Sequence, residues 1–158
     1  MAQQFRTMLS LKRTGGKDPV RFKVDGGRFE SARTLKLNVN TPYDVELSFK
    51  PALRIERLNI QGGNVTPEET KREASNNIYL AHWMTSGFDA NRKGGRVQVP
   101  IVINLEQQME LKITLQCKFY PESEASHVNW GDMVHHIEYE CKRPEGSSFV
   151  EIVKETFR

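Results

Sequence analysis

The 158-residue sequence predicts an all-β fold, an antiparallel barrel or sandwich of about ten strands. Apolar and polar residues alternate with a period of two almost from end to end. Glycine and proline cluster between the alternating runs. Helical periodicity is nearly absent, so sheets must bury the apolar faces against each other or close on themselves.

The first run extends from Phe5 to Leu11, and Gly15-Gly16 ends it. In the second, Val20, Phe22 and Val24 alternate with Arg21 and Lys23, and Asp25-Gly26 supplies residues that tolerate positive φ in a hairpin turn. Leu35, Leu37 and Val39 alternate with Lys36 and Asn38, and Tyr43, Val45, Leu47 and Phe49 alternate with Asp44, Glu46 and Ser48. Both read as half-buried strands. Leu53 and Ile55 share one parity while Leu58 and Ile60 take the other, so a bulge near Glu56-Arg57 is needed to return all four to one face. Gly62-Gly63 follows.

The segment from Thr66 to Glu73 opens with threonine, proline and acids, the order of a capped helix start, and predicts at most two short turns. Further runs go from Ile78 to Trp83, Val97 to Leu105, Leu111 to Phe119, Ile137 to Cys141 and Phe149 to Val153, with Gly94-Gly95 marking another boundary. Six prolines flank the runs, where they remove no ladder bond. Pro100 interrupts one, which predicts an edge strand or a local break.

One core suffices for this length, so residues 1–158 are expected to form a single domain. Hydrophobic residues make up 37% and charged residues 27%, too apolar for disorder and too polar for a membrane protein. The polar start lacks the apolar stretch of a secretory signal, which places the chain in the cytosol. There, Asn64-Val65-Thr66 has no meaning as a glycosylation sequon. Cys117 and Cys141 lack the paired spacing of a zinc site and read as free, buried thiols.

Catalytic constellations are missing. His135 and His136 are adjacent on a strand and point to opposite faces, so they cannot share a metal ion. Gly15-Gly16-Lys17 is followed by Asp18 where a phosphate loop needs serine or threonine. Carboxylates such as Glu138 and Glu140 share a face as solvated strands routinely do. No enzyme, metal or cofactor is expected, and nothing marks a nucleic-acid binder.

Charge is more informative. The net charge is +3, yet residues 1–40 carry nine Lys or Arg against three acids, about +6, which leaves about −3 for the rest. An electropositive first quarter suits solvated strand faces, an acidic peptide or an anionic lipid surface. Trp83, Phe119, Tyr120, Trp130 and Tyr139 concentrate in the second half, where they either fill a core or line an opening between sheets.

Several stretches, in order and spacing, resemble the cannabinoid receptor-interacting protein family. They are Phe22-Lys-Val-Asp-Gly26 with Arg28-Phe29, Arg33-Thr34, Lys36-Leu37, Lys50-Pro51, Lys118-Phe-Tyr120, His127 with Trp130-Gly131, Ile137-Glu-Tyr-Glu-Cys-Lys142, and Lys154-Glu155 with Phe157. The resemblance implies a β-barrel or sandwich similar to the lipid-accommodating fold of the Rho GDP-dissociation inhibitors. It also implies a regulatory protein, without catalytic residues, that binds the cytoplasmic C-terminal tail of a cannabinoid-type, G-protein-coupled receptor at the inner face of the plasma membrane.

Within that frame Phe22, Val24, Leu37, Phe119, Ile137 and Tyr139 are expected in the core. Lys23, Arg28, Arg33, Lys36 and Lys118 are the candidates for contact with an acidic tail. The alternative is a carrier whose interior shields an acyl or prenyl chain of a signalling protein, with Trp83, Leu115, Cys117, Phe119, Trp130 and Tyr139 lining the pocket. A monomer is expected in either case.

Overall fold

The computed structural model describes residues 2–90 and 95–158. Gly94 of the Gly94-Gly95 boundary lies outside them. The described residues form thirteen strands and no helix: β1 (Gln3–Arg13), β2 (Arg21–Val24), β3 (Arg33–Asn38), β4 (Pro42–Lys50), β5 (Ile55–Ile60), β6 (Gly63–Val65), β7 (Glu68–Arg72), β8 (Asn77–Met84), β9 (Val97–Leu105), β10 (Met109–Tyr120), β11 (Asp132–Met133), β12 (Ile137–Arg143) and β13 (Glu151–Phe157). Strands β13-β12-β1-β4-β8-β7 make one sheet and β11-β2-β3-β10-β9-β5-β6 the other. The sheets form a sandwich and no closed barrel, and every pairing is antiparallel except the parallel β3–β10 ladder.

The alternation read from the sequence becomes two apolar inner faces. Leu35, Leu37, Val99, Ile101, Ile103, Leu111, Ile113 and Phe119 of one sheet are buried in the same cluster as Leu9, Val45, Leu47, Phe49, Ile137 and Tyr139 of the other. The register shifts between Ile55 and Arg57, and Leu53, Ile55, Leu58 and Ile60 all reach the core, as the bulge requires. No helix of the described residues is long and apolar enough to cross a membrane.

Four expectations need correction. Thr66 to Glu73 is not a helical start: Glu68–Arg72 is a bulged edge strand on β8. Pairing with an exposed edge outweighs the capping signal, and the Glu69–Arg72 ion pair at 3.0 Å closes across the bulge instead of a helical turn. Pro100 lies in β9, between β10 and β5, and is neither on an edge strand nor at a break. Its carbonyl accepts the Gln61 amide at the end of β5, so its missing N–H faces that end and not the β10 ladder.

Val24, expected inside, is 61% exposed, because β11 pairs with Arg21 and Phe22 alone and leaves the last residue of β2 uncovered. Phe22 itself is half-buried against the core. The turn at Asp25-Gly26 does put Gly26 at positive φ (67°), but the connection runs on to the Asp25 N–H···O=C Ala32 bond. It is longer than a two-residue hairpin.

Candidate functional site

The outer face of the second sheet gathers most of the conspicuous polar groups. Register places Arg21 of β2 beside Lys36 of β3, and Lys36 beside Lys118 of β10. One step along, Lys23 pairs with Thr34. Because side chains alternate, Arg21, Lys23, Thr34, Lys36, Asn38, Gln116, Lys118 and Tyr120 share this face, while Leu35, Leu37, Cys117 and Phe119 point into the core.

Strand β3 is buried on both faces, and its outer polar groups are satisfied by distant parts of the chain. Thr34 donates to Asp25 and accepts from Gln116 at 2.9 Å and from Arg96 at 3.0 Å. Asp25 and Arg96 form a bidentate pair, two bonds of 3.0 Å with side chains only 1% and 4% exposed, and Arg96 stacks 4.5 Å from the centre of the Phe29 ring. Burial pushes the Asp25 carboxyl up, but hydrogen bonds from Arg96 and Thr34 outweigh it and hold the group below the usual carboxylate value.

Asn38 donates to the carbonyls of Pro121 and Glu124, both at 2.8 Å, and accepts from Arg13. Lys36, only 4% exposed, donates to the carbonyls of His127 (3.2 Å) and Trp130 (2.6 Å). Arg21 donates to the Gly131 carbonyl at 2.6 Å. Residues 121–131 thus form a strap, tied to the sheet by donors from β2 and β3. A small hollow of about 100 Å³ under it is lined by Arg13, Arg21, Lys36, Asn38, Tyr43 and Val128, among others.

Cations and aromatic rings remain accessible on this face, beside Glu124 of the strap, whose carboxylate accepts the His127 amide at 2.8 Å. Lys118 lies 5.2 Å from the Tyr120 ring, and Tyr120 stacks on His127 with centroids 6.3 Å apart. Trp130 is 72% exposed, with the Lys36 ammonium 5.1 Å from its ring centre. The cations crowd each other. Burial pulls the Lys36 amine down, and Lys23, Lys118 and Arg21 lower it further. Burial likewise lowers Lys118, with Arg96 and Lys23 adding repulsion against a small opposing pull from Asp25. That one acid is committed to Arg96.

The five cations chosen from sequence do not form one cluster. Lys23 and Lys118 sit on this face. Lys36 belongs to it by parity, but the strap covers it, so it holds the backbone of the strap and is not open to a ligand. Arg28 is in the 25–32 connection, over Phe29 at 5.3 Å. Arg33 has the opposite parity and lies over Phe157, 5.3 Å from its ring, on the side where the two sheets meet. Arg21, Tyr120 and His127 join the face although their signals were weak: one cation in an alternating run, and two rings at the edge of an irregular stretch.

The six residues proposed as a lipid pocket separate as well. Leu115, Cys117, Phe119 and Tyr139 are buried in the core. Trp83 is buried against Tyr43 and Phe88, and Trp130 is outside. Burial raises the Cys141 thiol to about 11 and the Cys117 thiol further, so neither is a ready nucleophile. Among the described residues no group of three or more His, Cys, Asp or Glu could hold a metal ion.

Residues 1–157 match the family described as CB1 cannabinoid receptor-interacting protein 1. Proteins of that name from Homo sapiens, Bos taurus and Mus musculus are each 33% identical over 156 residues, covering 96% of this chain and 94% of the relative. A match of that extent leaves no part of the sandwich unaccounted for, and the chain belongs to the CB1 cannabinoid receptor-interacting protein 1 family.

Proposed function

We propose that the chain is a non-catalytic regulatory protein that captures the cytoplasmic C-terminal tail of a cannabinoid-type, G-protein-coupled receptor on the outer face of the β2-β3-β10 sheet. The relatives' name supports a receptor partner. The observation that carries the reading is the crowding of cations on that face: Arg21, Lys23 and Lys118 add to burial in lowering the Lys36 amine, while Asp25 is held by Arg96 and Glu124 accepts the His127 amide. An acidic segment laid across the strands relieves this repulsion. Such a field also steers encounter.

The test is a binding titration of acidic tail peptides against Lys23→Glu/Lys118→Glu, with Arg33→Glu as a control on the other side of its strand. The double reversal is expected to weaken binding by about tenfold or more at low salt, about 1.4 kcal/mol, and to flatten the salt dependence. Lys23 is exposed and its reversal should leave stability within about 0.5 kcal/mol, whereas Lys118 is half-buried, so denaturant unfolding of the double variant must show that it remains folded under the binding conditions. Unchanged binding, or an equal loss with Arg33→Glu, removes this face as the site.

A further inference from the structure

Trp130 is the most exposed large apolar side chain of the described residues, and it is also held in place. Its amide donates to the His127 carbonyl at 3.2 Å and its carbonyl accepts from Lys36 at 2.6 Å. Gly131 follows at φ +108°, where an added Cβ would meet the Phe22 carbonyl oxygen at 3.1 Å and the Lys36 ammonium at 3.3 Å. The strap is therefore pressed onto the sheet where the indole begins. The indole lies 5.1 Å from the ammonium of Lys36 of β3, whose register neighbours are Arg21 of β2 on one side and Lys118 of β10 on the other.

An exposed aromatic beside a cation, on a backbone fixed at both its amide and its carbonyl, has the composition of an interface hot spot. We infer that Trp130 is the apolar anchor of this face, and that its occupant is an extended acidic segment with an apolar side chain between two carboxylates, in the order acid, any residue, apolar, any residue, acid. This rests on the tail-capture reading and specifies its ligand.

The spacing follows from strand geometry. Neighbouring strands stand about 4.8 Å apart, so β2 and β10, on either side of β3, are separated by about 10 Å. Side chains i and i+4 of an extended peptide point the same way about 13 Å apart, with i+2 midway. Long lysine and arginine stems span the difference, while the middle side chain rests on the indole. Indole and cations lie together along one sheet face, which suits a segment lying flat better than a bilayer that needs a projecting apolar tip.

Tryptophan fluorescence reads the site directly, since Trp83 is buried and acrylamide quenches chiefly Trp130. The probes are two acidic peptides of about twelve residues. One is centred on glutamate-serine-leucine-serine-glutamate, and its twin has serine in place of leucine. Vesicles of phosphatidylcholine with roughly one-third phosphatidylserine form a third arm. The leucine peptide is expected to bind about tenfold tighter than its twin and to shield Trp130 from acrylamide.

By titration calorimetry, which needs no indole at position 130, Trp130→Ala should bring the ratio of the two affinities close to one while the salt-dependent binding of the twin persists, and Trp130→Phe should keep most of the preference. Equal affinities in the unaltered protein overturn the anchor and leave tail capture standing. Binding of neither peptide removes both. Shielding by vesicles without shielding by peptides assigns the face to an anionic bilayer and overturns the inference.

Discussion

Asp25 and Arg96 show how much one pair of residues can fix. The pair is buried, bidentate and joined to Thr34 and Gln116, so it ties the β2–β3 connection to the start of β9 across the face of β3. Removing one partner strands the other charge in a dry site. Asp25→Asn should therefore destabilise the protein by about 3 kcal/mol at pH 7, measured by denaturant unfolding. The folded-state pKa of Asp25 lies below the usual 3.8, so its contribution is complete above that value and disappears as the pH falls through the lower folded value. Parent and variant should converge in stability at the acid end of the profile. A constant gap down to the lowest pH would show that carboxylate ionisation is not the source. The opposite case is Tyr139, whose buried hydroxyl faces Glu155 without a hydrogen bond of good geometry, and which burial holds above the usual tyrosine range. Tyr139→Phe deletes an orphaned polar atom and should raise stability by up to about 1 kcal/mol, roughly 2 °C in the thermal midpoint.

Among the elements, β3 and its strap hold most of what distinguishes this face from an ordinary solvated one. The alternation in β3 showed which side chains share a face, because parity is a local property. It could not show that the outer face is covered. That cover comes from residues 121–131 and from Arg96, separated in sequence from β3 by dozens of residues and without periodicity of their own. For the same reason Lys36 looked like a free cation, and Trp130, the one large ring in a polar, aperiodic stretch, was placed near an opening between sheets. An aromatic embedded in Pro-Glu-Ser-Glu-Ala-Ser-His-Val-Asn-Trp-Gly was the available sign of exposure, since such a stretch buries little else. β7 was missed for a different reason, because helix-start chemistry is local while edge pairing with β8 is not. The close fit at Gly131 makes the strap testable apart from any ligand. Gly131→Ala forces a side chain into a strained backbone region against the Phe22 carbonyl, and should destabilise the protein by about 1–3 kcal/mol. Trp130 quenching by acrylamide should rise at the same time, as the strap lifts from the sheet. Unchanged quenching with lowered stability would show that the strain is absorbed elsewhere.

At the scale of the whole molecule, the sandwich has the inner positions of both sheets occupied by side chains that touch one another. Phe88 stacks on Phe119 with centroids 4.3 Å apart and meets Trp83 edge-on at 6.1 Å, and Leu115, Cys117 and Tyr139 are buried in the same cluster. These are most of the residues that a lipid-carrying interior would need as its walls. Each buried methylene contributes about 0.8 kcal/mol, so even four carbons of an acyl chain entering the interior should tighten binding by about a hundredfold. To admit them the two sheets would have to part and rings now in contact would have to separate, which close packing resists. The packed arrangement therefore predicts that a myristoylated and a bare acidic tail peptide bind within about tenfold of each other. It also predicts similar heat-capacity changes for the two, since a negative increment is the reliable mark of apolar burial. Titration calorimetry at several temperatures measures both quantities. A much tighter lipidated peptide with an added negative heat-capacity change would mean that the sheets open around a chain and that the interior, not the cationic face, is the principal binding site.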